Sequence, residues 1–165
     1  MNNKRLYSTV LVMLLCGLFF SQRPNAQIAS ETTAAQQAPL SAEKLAAAEK
    51  KLLGKHMFSL QWISWDKLGT AVVKRGTQGL EIEAKQALNG DFVTLNGTIE
   101  IIDERAFNFT GKIVTKVHHI NQGVACQREG TFEFRATGKR KYWRMQQIDN
   151  PCDQVVDYID VYFSH

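Results

Sequence analysis

The sequence predicts an all-β protein: an eight-stranded antiparallel up-and-down barrel or strongly curled sheet, preceded by one short N-terminal helix. Three observations predict it. From Met57 onward the chain alternates apolar and polar residues, the period of a half-buried strand. The separators are hairpin-length and carry turn chemistry, Asn89-Gly90 most clearly, because a two-residue type I′ turn needs positive φ at both positions. Three glycines, Gly97, Gly111 and Gly130, fall mid-pattern in consecutive stretches and on the inner face of each. A turn centred on Glu104 sets residue 97 opposite 111, and a turn centred between Ile120 and Asn121 sets 111 opposite 130. A row of glycines across a sheet is a crease, and strand-interior glycine marks bulges, bends and barrel corners.

Residues 1–26 read as a secretory signal. Lys4 and Arg5 form a positive start, Leu6 to Phe20 is an apolar run too short for a spanning helix, and Pro24-Asn25-Ala26 ends in the small residue a signal peptidase prefers. Cleavage near Ala26 predicts a periplasmic or secreted protein with no stable membrane insertion. The whole chain carries 20 basic and 16 acidic residues, a formal charge of +4. Lys4, Arg5 and Arg23 leave with the leader, so the processed chain keeps 17 basic residues against 16 acidic, a charge of +1. That near-neutrality argues against a nucleic-acid partner, which needs a phosphate-neutralising surface. The cluster Arg135, Lys139, Arg140, Lys141 and Arg144 reads as a solvated hairpin tip, balanced by Asp149, Asp153, Asp157 and Asp160.

Residues 27–40, rich in Ala, Gln, Thr and Ser, have little to bury and read as a flexible linker. A single domain spans 41–165. Its helix covers 42–53: Ser41 caps the start, Glu43 lies in the first turn, Lys50 and Lys51 lie in the last, and Gly54 stops it. Leu45, Ala48, Leu52 and Leu53 form its apolar stripe. The strands follow as Met57–Trp65, Thr70–Arg75, Leu80–Leu88, Phe92–Ile102, Ala106–His118, Val124–Ala136, Lys141–Ile148 and Val155–Phe163. Alternation turns Leu80, Ile82, Ala84 and Leu88 inward, then Val93, Leu95, Ile99 and Ile101, then Phe107, Phe109, Ile113 and Val117, then Phe132 and Phe134.

Cys16 leaves with the leader, and Cys126 and Cys152 remain, an even number for an oxidising compartment. A hairpin turning around Thr137-Gly138-Lys139 sets residue 126 across from 151, beside Cys152, and so predicts a disulfide. A meander removes its exposed edges by closing, and eight strands leave an interior just wide enough for side chains or one small ligand. In strand number, size and export, residues 57–163 resemble the lipocalin and calycin group of secreted barrels, which implies a ligand-holding barrel. The Gly-x-Trp motif of the first lipocalin strand is absent, since Trp62 follows Leu60-Gln61, and no functional residue is carried over.

Arg128 is the most pointed candidate. It has inward parity between Cys126 and Gly130, and its planar fork suits a carboxylate or phosphate ligand. The same register sets Asp149 opposite, and an Arg128–Asp149 ion pair is the preferred reading, because buried charges are usually paired. His119 has inward parity at a strand end and offers a ligand contact. Phe107, Phe109, Phe132 and Trp143 are expected to line the cavity. His118 and His119 point to opposite faces if both are in a strand, and no histidine or cysteine has zinc spacing, so neither metal nor cofactor is expected. No serine stands in a nucleophile elbow, no catalytic residue is assigned, and an enzyme is not expected.

Two functional readings follow. The first is a barrel holding a small apolar or lipid-like ligand, which requires an internal void. The alternative is a protein-interaction or enzyme-inhibitor module using the outer aromatic and basic surface. Trp62, Trp65, Trp143, Tyr142, Tyr158 and Tyr162 alternate on the first and last two strands, so some of them face out whichever parity faces in, and this reading requires a filled interior.

Overall fold

A computed structural model describes residues 40–164. The expected leader, and all of the expected linker but Leu40, lie outside the described residues. Helix α1 (Ala42–Leu52) begins at Ser41, whose side chain accepts the Lys44 N–H, and carries Glu43 in its first turn and Lys50 and Lys51 in its last. Leu53 is already extended, and Gly54, at φ +110°, turns the chain directly into the sheet. Eight strands follow: β1 (Gly54–Leu60), β2 (Gly69–Gly76), β3 (Gly79–Leu88), β4 (Asp91–Asp103), β5 (Ala106–Lys116), β6 (Cys126–Arg135), β7 (Tyr142–Met145) and β8 (Ile159–Tyr162). They pair antiparallel in chain order, and β8 returns to β1 to close the barrel. Ala48 and Leu52 of α1 are buried, and Leu52 joins the barrel core at the end where Gly54 starts.

The glycine row lies where the turns require it, with Gly97 opposite Gly111 and Gly111 opposite Gly130. The first two are places where backbones close in. A β-carbon on Gly97 would lie 2.2 Å from the Thr110 carbonyl oxygen, and one on Gly111 would lie 2.2 Å from that of Asn96. The Phe109 ring occupies the remaining space, 2.7 and 2.8 Å from those two positions. Gly130 differs: nothing lies within 4 Å of its missing β-carbon, and its φ of +148° supplies the need for glycine. The crease therefore bends the sheet around an aromatic side chain and opens no hollow.

The interior is filled. Phe58, Phe107, Phe109, Phe134, Trp143 and Met145 are fully buried, and Phe107 stacks on Phe134 at 5.1 Å with Trp143 edge-on at 5.8 Å. Phe107, Phe109, Phe132 and Trp143 face inward and pack against one another and Phe134 in the core. A cavity at the barrel end lined by Leu60, Trp62, Ile120 and Asp157 measures about 10 Å³, room for one water.

The strand ends depart from the sequence pattern in three places. β1 begins at Gly54 and stops at Leu60, five residues short of Trp65, because loop 61–68 is pegged elsewhere. Buried Gln86 accepts the Leu60 N–H and donates to the carbonyls of Ser64 and Lys67 at 2.9 and 3.0 Å. β5 ends at Lys116, two residues before His118. β7 and β8 hold only four residues each, and residues 146–158 between them form a long loop with one isolated bridge, Asp149 to Val156.

Candidate functional site

Loop 146–158 folds over the barrel end remote from α1, and a disulfide between Cys126 and Cys152 ties it to β6. The expected pairing is present, although the β6–β7 ladder is displaced. Phe134 faces Met145, two residues beyond the register that put 126 opposite 151. The displacement corrects the partner of Arg128. Its Nη1 donates to the Gln147 and Asp149 carbonyls, and its Nη2 donates to the Asp157 carboxylate at 2.7 Å. Asp149 contributes only a carbonyl, because the returning limb of the loop brings Asp157 inward. Asp157 also accepts from Trp62 Nε1 at 3.2 Å and Asn150 Nδ2 at 3.0 Å. Burial raises its carboxyl above the usual carboxylate range despite the guanidinium, and burial lowers Arg128.

His119 does not face the interior. It lies past the end of β5 in an exposed turn, edge-on to Trp62 at 5.9 Å. Since His118 and His119 share this turn rather than a strand, their rings lie 4.6 Å apart instead of on opposite faces. His118 donates to Asp91 through its backbone N–H and its ring Nδ1, both at 2.8 Å. Burial raises the Asp91 carboxyl, but those hydrogen bonds outweigh it and bring the net value below the usual range. Among the described residues, no three His, Cys, Asp or Glu side chains converge as a metal site. Outside the disulfide loop, Trp62, Asp149, Asp153, Gln154 and Val156 border a shallow groove of about 610 Å³.

A second constellation occupies the outer surface of the closing strands. Arg144 on β7 faces Asp160 on β8, and two parallel hydrogen bonds of 2.7 Å join Nε and Nη2 to the two carboxylate oxygens. The guanidinium lies 4.2 Å from the Tyr158 ring centroid and 5.2 Å from that of Tyr142. Tyr142 in turn pairs across the ladder with Tyr162, 5.4 Å away. The Tyr162 hydroxyl meets Ser59 Oγ on β1 at 3.3 Å. Asp160 is 0% exposed although it points away from the core. Burial raises its carboxyl, whereas the hydrogen bond to that carboxylate raises the Arg144 guanidinium. Met57 on β1 and Val72 on β2 are 42% and 44% exposed on the same outer surface. Parity along β7 would have found this set; missing from the sequence was which parity faces out.

The family match covers residues 32–163, all eight strands among them. The chain belongs to the PM1083 family. It is similar to the "Uncharacterized protein PM1083" of Pasteurella multocida (strain Pm70), at 58% identity over 129 residues, 78% of this chain and 84% of the relative. No solved structure matches it. For this PM1083-family chain the fold is thus a closed eight-stranded barrel with one preceding helix among the described residues. Both constellations lie inside the matched residues. Among the described residues, no helix is long and apolar enough to cross a membrane.

Proposed function

We propose that this chain is a protein-interaction module whose binding surface is the outer face of β1, β8 and β7. The observation that carries the reading is the Arg144–Asp160 pair, held bidentate between Tyr142 and Tyr158 on the outside of a barrel whose interior is full. Burying charges costs desolvation and adds nothing to the core here, yet side chains already fixed lose little freedom when a partner arrives. Tyr, Arg and Met are the residues enriched at interface centres, and Met57 stands exposed beside them. An inhibitor of an exported enzyme is one form of such a module, and the disulfide fits the oxidising compartment that form requires.

One observation favours a small apolar ligand as a second reading. A groove of about 310 Å³ lies between α1 and the barrel rim, lined by Leu45, Leu80, Ile99 and Ile101 beside the Arg75–Glu49 pair. Such a ligand would sit at the mouth and not inside.

Affinity capture from a host envelope fraction, with the oxidised chain and its Met57→Asp variant in parallel, tests the first reading. A protein retained by the wild type and lost by the variant is expected. Identical capture by both overturns it. Native mass spectrometry of the chain from its own host tests the second, which a retained small molecule lost on Leu45→Asp would support.

A further inference from the structure

Strand β7 runs between two loops of opposite charge. The loop before it carries Lys139, Arg140 and Lys141, and the loop after it carries Asp149 and Asp153. Both loops are held in place. Arg105 donates from Nε to the Ala136 carbonyl at 2.7 Å and from Nη2 to those of Gly138 and Arg140 at 3.0 and 3.3 Å, fixing the basic loop. The disulfide and the Arg128–Asp157 pair fix the acidic one. Asp153 accepts the backbone N–H groups of Asn121 and Gln154, and Arg140 lies over the Tyr142 ring, 5.7 Å from its centroid. Among the described residues, Lys139, Arg140, Lys141, Asp149 and Asp153 enter no ion pair. Lys51, on the adjoining turn of α1, is lowered by burial and by the nearby positive charges of Arg105 and Lys141.

We infer that the partner of this face is a second copy of the chain, packed antiparallel about a two-fold axis normal to β7. This rests on the reading of the face given above and names its occupant. A half-turn about that axis exchanges the ends of β7, so the basic loop of each copy meets the acidic loop of the other. A two-fold interface repeats every contact, and both charge contacts form at once. The tyrosine–arginine centre, with Met57 beside it, then packs against itself. Size requires the loops as well. Three strands about 4.8 Å apart, sharing a stretch about four residues long at about 3.3 Å each, give a face roughly 15 Å on a side. A stable interface needs on the order of 800 Å² from each partner. The loops at either end supply the difference, which makes the association sensitive to salt.

Sedimentation equilibrium of the oxidised chain over a wide concentration range, at low and high salt, reads this directly. The expected result is a reversible monomer–dimer equilibrium, weakened about tenfold or more by high salt. Met57→Asp should leave the chain monomeric. The double variant Lys139→Glu/Lys141→Glu and the single variant Asp149→Lys should each self-associate poorly, because each sets like charges together. Mixed, they should associate as well as the wild type, since one reversed loop then meets the other and the second contact is native. A wild type that stays monomeric throughout, or a mixture no stronger than its components, overturns the inference. The same monomeric result, with a host protein still captured by the wild type and lost on Met57→Asp, would assign the face to a different protein and overturn only the self-pairing.

Discussion

At the scale of single residues, the buried pair at the disulfide end is asymmetric. Arg128 and Asp157 have side chains 7% and 1% exposed, so neither charge is relieved by solvent. An aspartate stripped of its partner can take up a proton, whereas a guanidinium cannot lose one. Asp157→Leu should therefore cost about 3–5 kcal/mol, the cost of an uncompensated buried charge. Arg128→Met should cost less in acid than at neutral pH. Its sign follows from Asp157, whose carboxyl burial already raises above the usual range. The folded state favours that proton, so stability is fully present below the unfolded value and is lost as pH rises through the folded one. Removing Arg128 raises the carboxyl further and deepens the same loss. Urea unfolding of both variants in acid and at neutral pH checks this; an Arg128→Met cost no smaller in acid than at neutral pH would contradict it.

Among the elements, the three crease glycines make two different demands on the backbone, and alanine substitution should separate them. Gly97→Ala and Gly111→Ala drive a β-carbon into a carbonyl 2.2 Å away and into the Phe109 ring, with no flexible group to yield. Each should destabilise by about 3 kcal/mol or more, the upper range of overpacking. Gly130→Ala meets open space and only the strain of a positive φ, about 1–2 kcal/mol. Thermal or urea unfolding of the three ranks them, and a Gly130→Ala as damaging as the other two would overturn the distinction. The glycine register was legible in the sequence because the Asp103–Ala106 turn is short and the longer connection 117–125 keeps its centre of register between Ile120 and Asn121. The β6–β7 register was not. Its loop is held by Arg105, thirty or more positions away, and nothing local announces a two-residue displacement. Arg128 was singled out by parity, but its partner lies across an irregular loop that alternation does not reach. Gln86 shows the same limit, since its inward position is periodic while the carbonyls it holds belong to loop 61–68. Phe107, Phe109 and Phe132 were placed on the correct face, and only three dimensions distinguish lining a void from filling it.

For the molecule as a whole, pairing is uneven around the barrel. β4 and β5 share eleven paired positions, whereas β6–β7 has two and both β7–β8 and β8–β1 have three. Regions with few backbone bonds open at lower free energy than the rest. Amide hydrogen exchange should therefore be slowest in β4 and β5 and fastest among paired strands in β7, and uniform protection around the barrel would contradict this. The same seam has a consequence in time. β1 is the first strand to be made and bonds on one side to β8, the last, so that edge has no partner until residues 159–162 arrive. An unpaired edge is a template for other chains, and β1 carries this hazard throughout synthesis. A chain cut before Ile159 never ends that wait, and its fate is set by its neighbours rather than by its own fold.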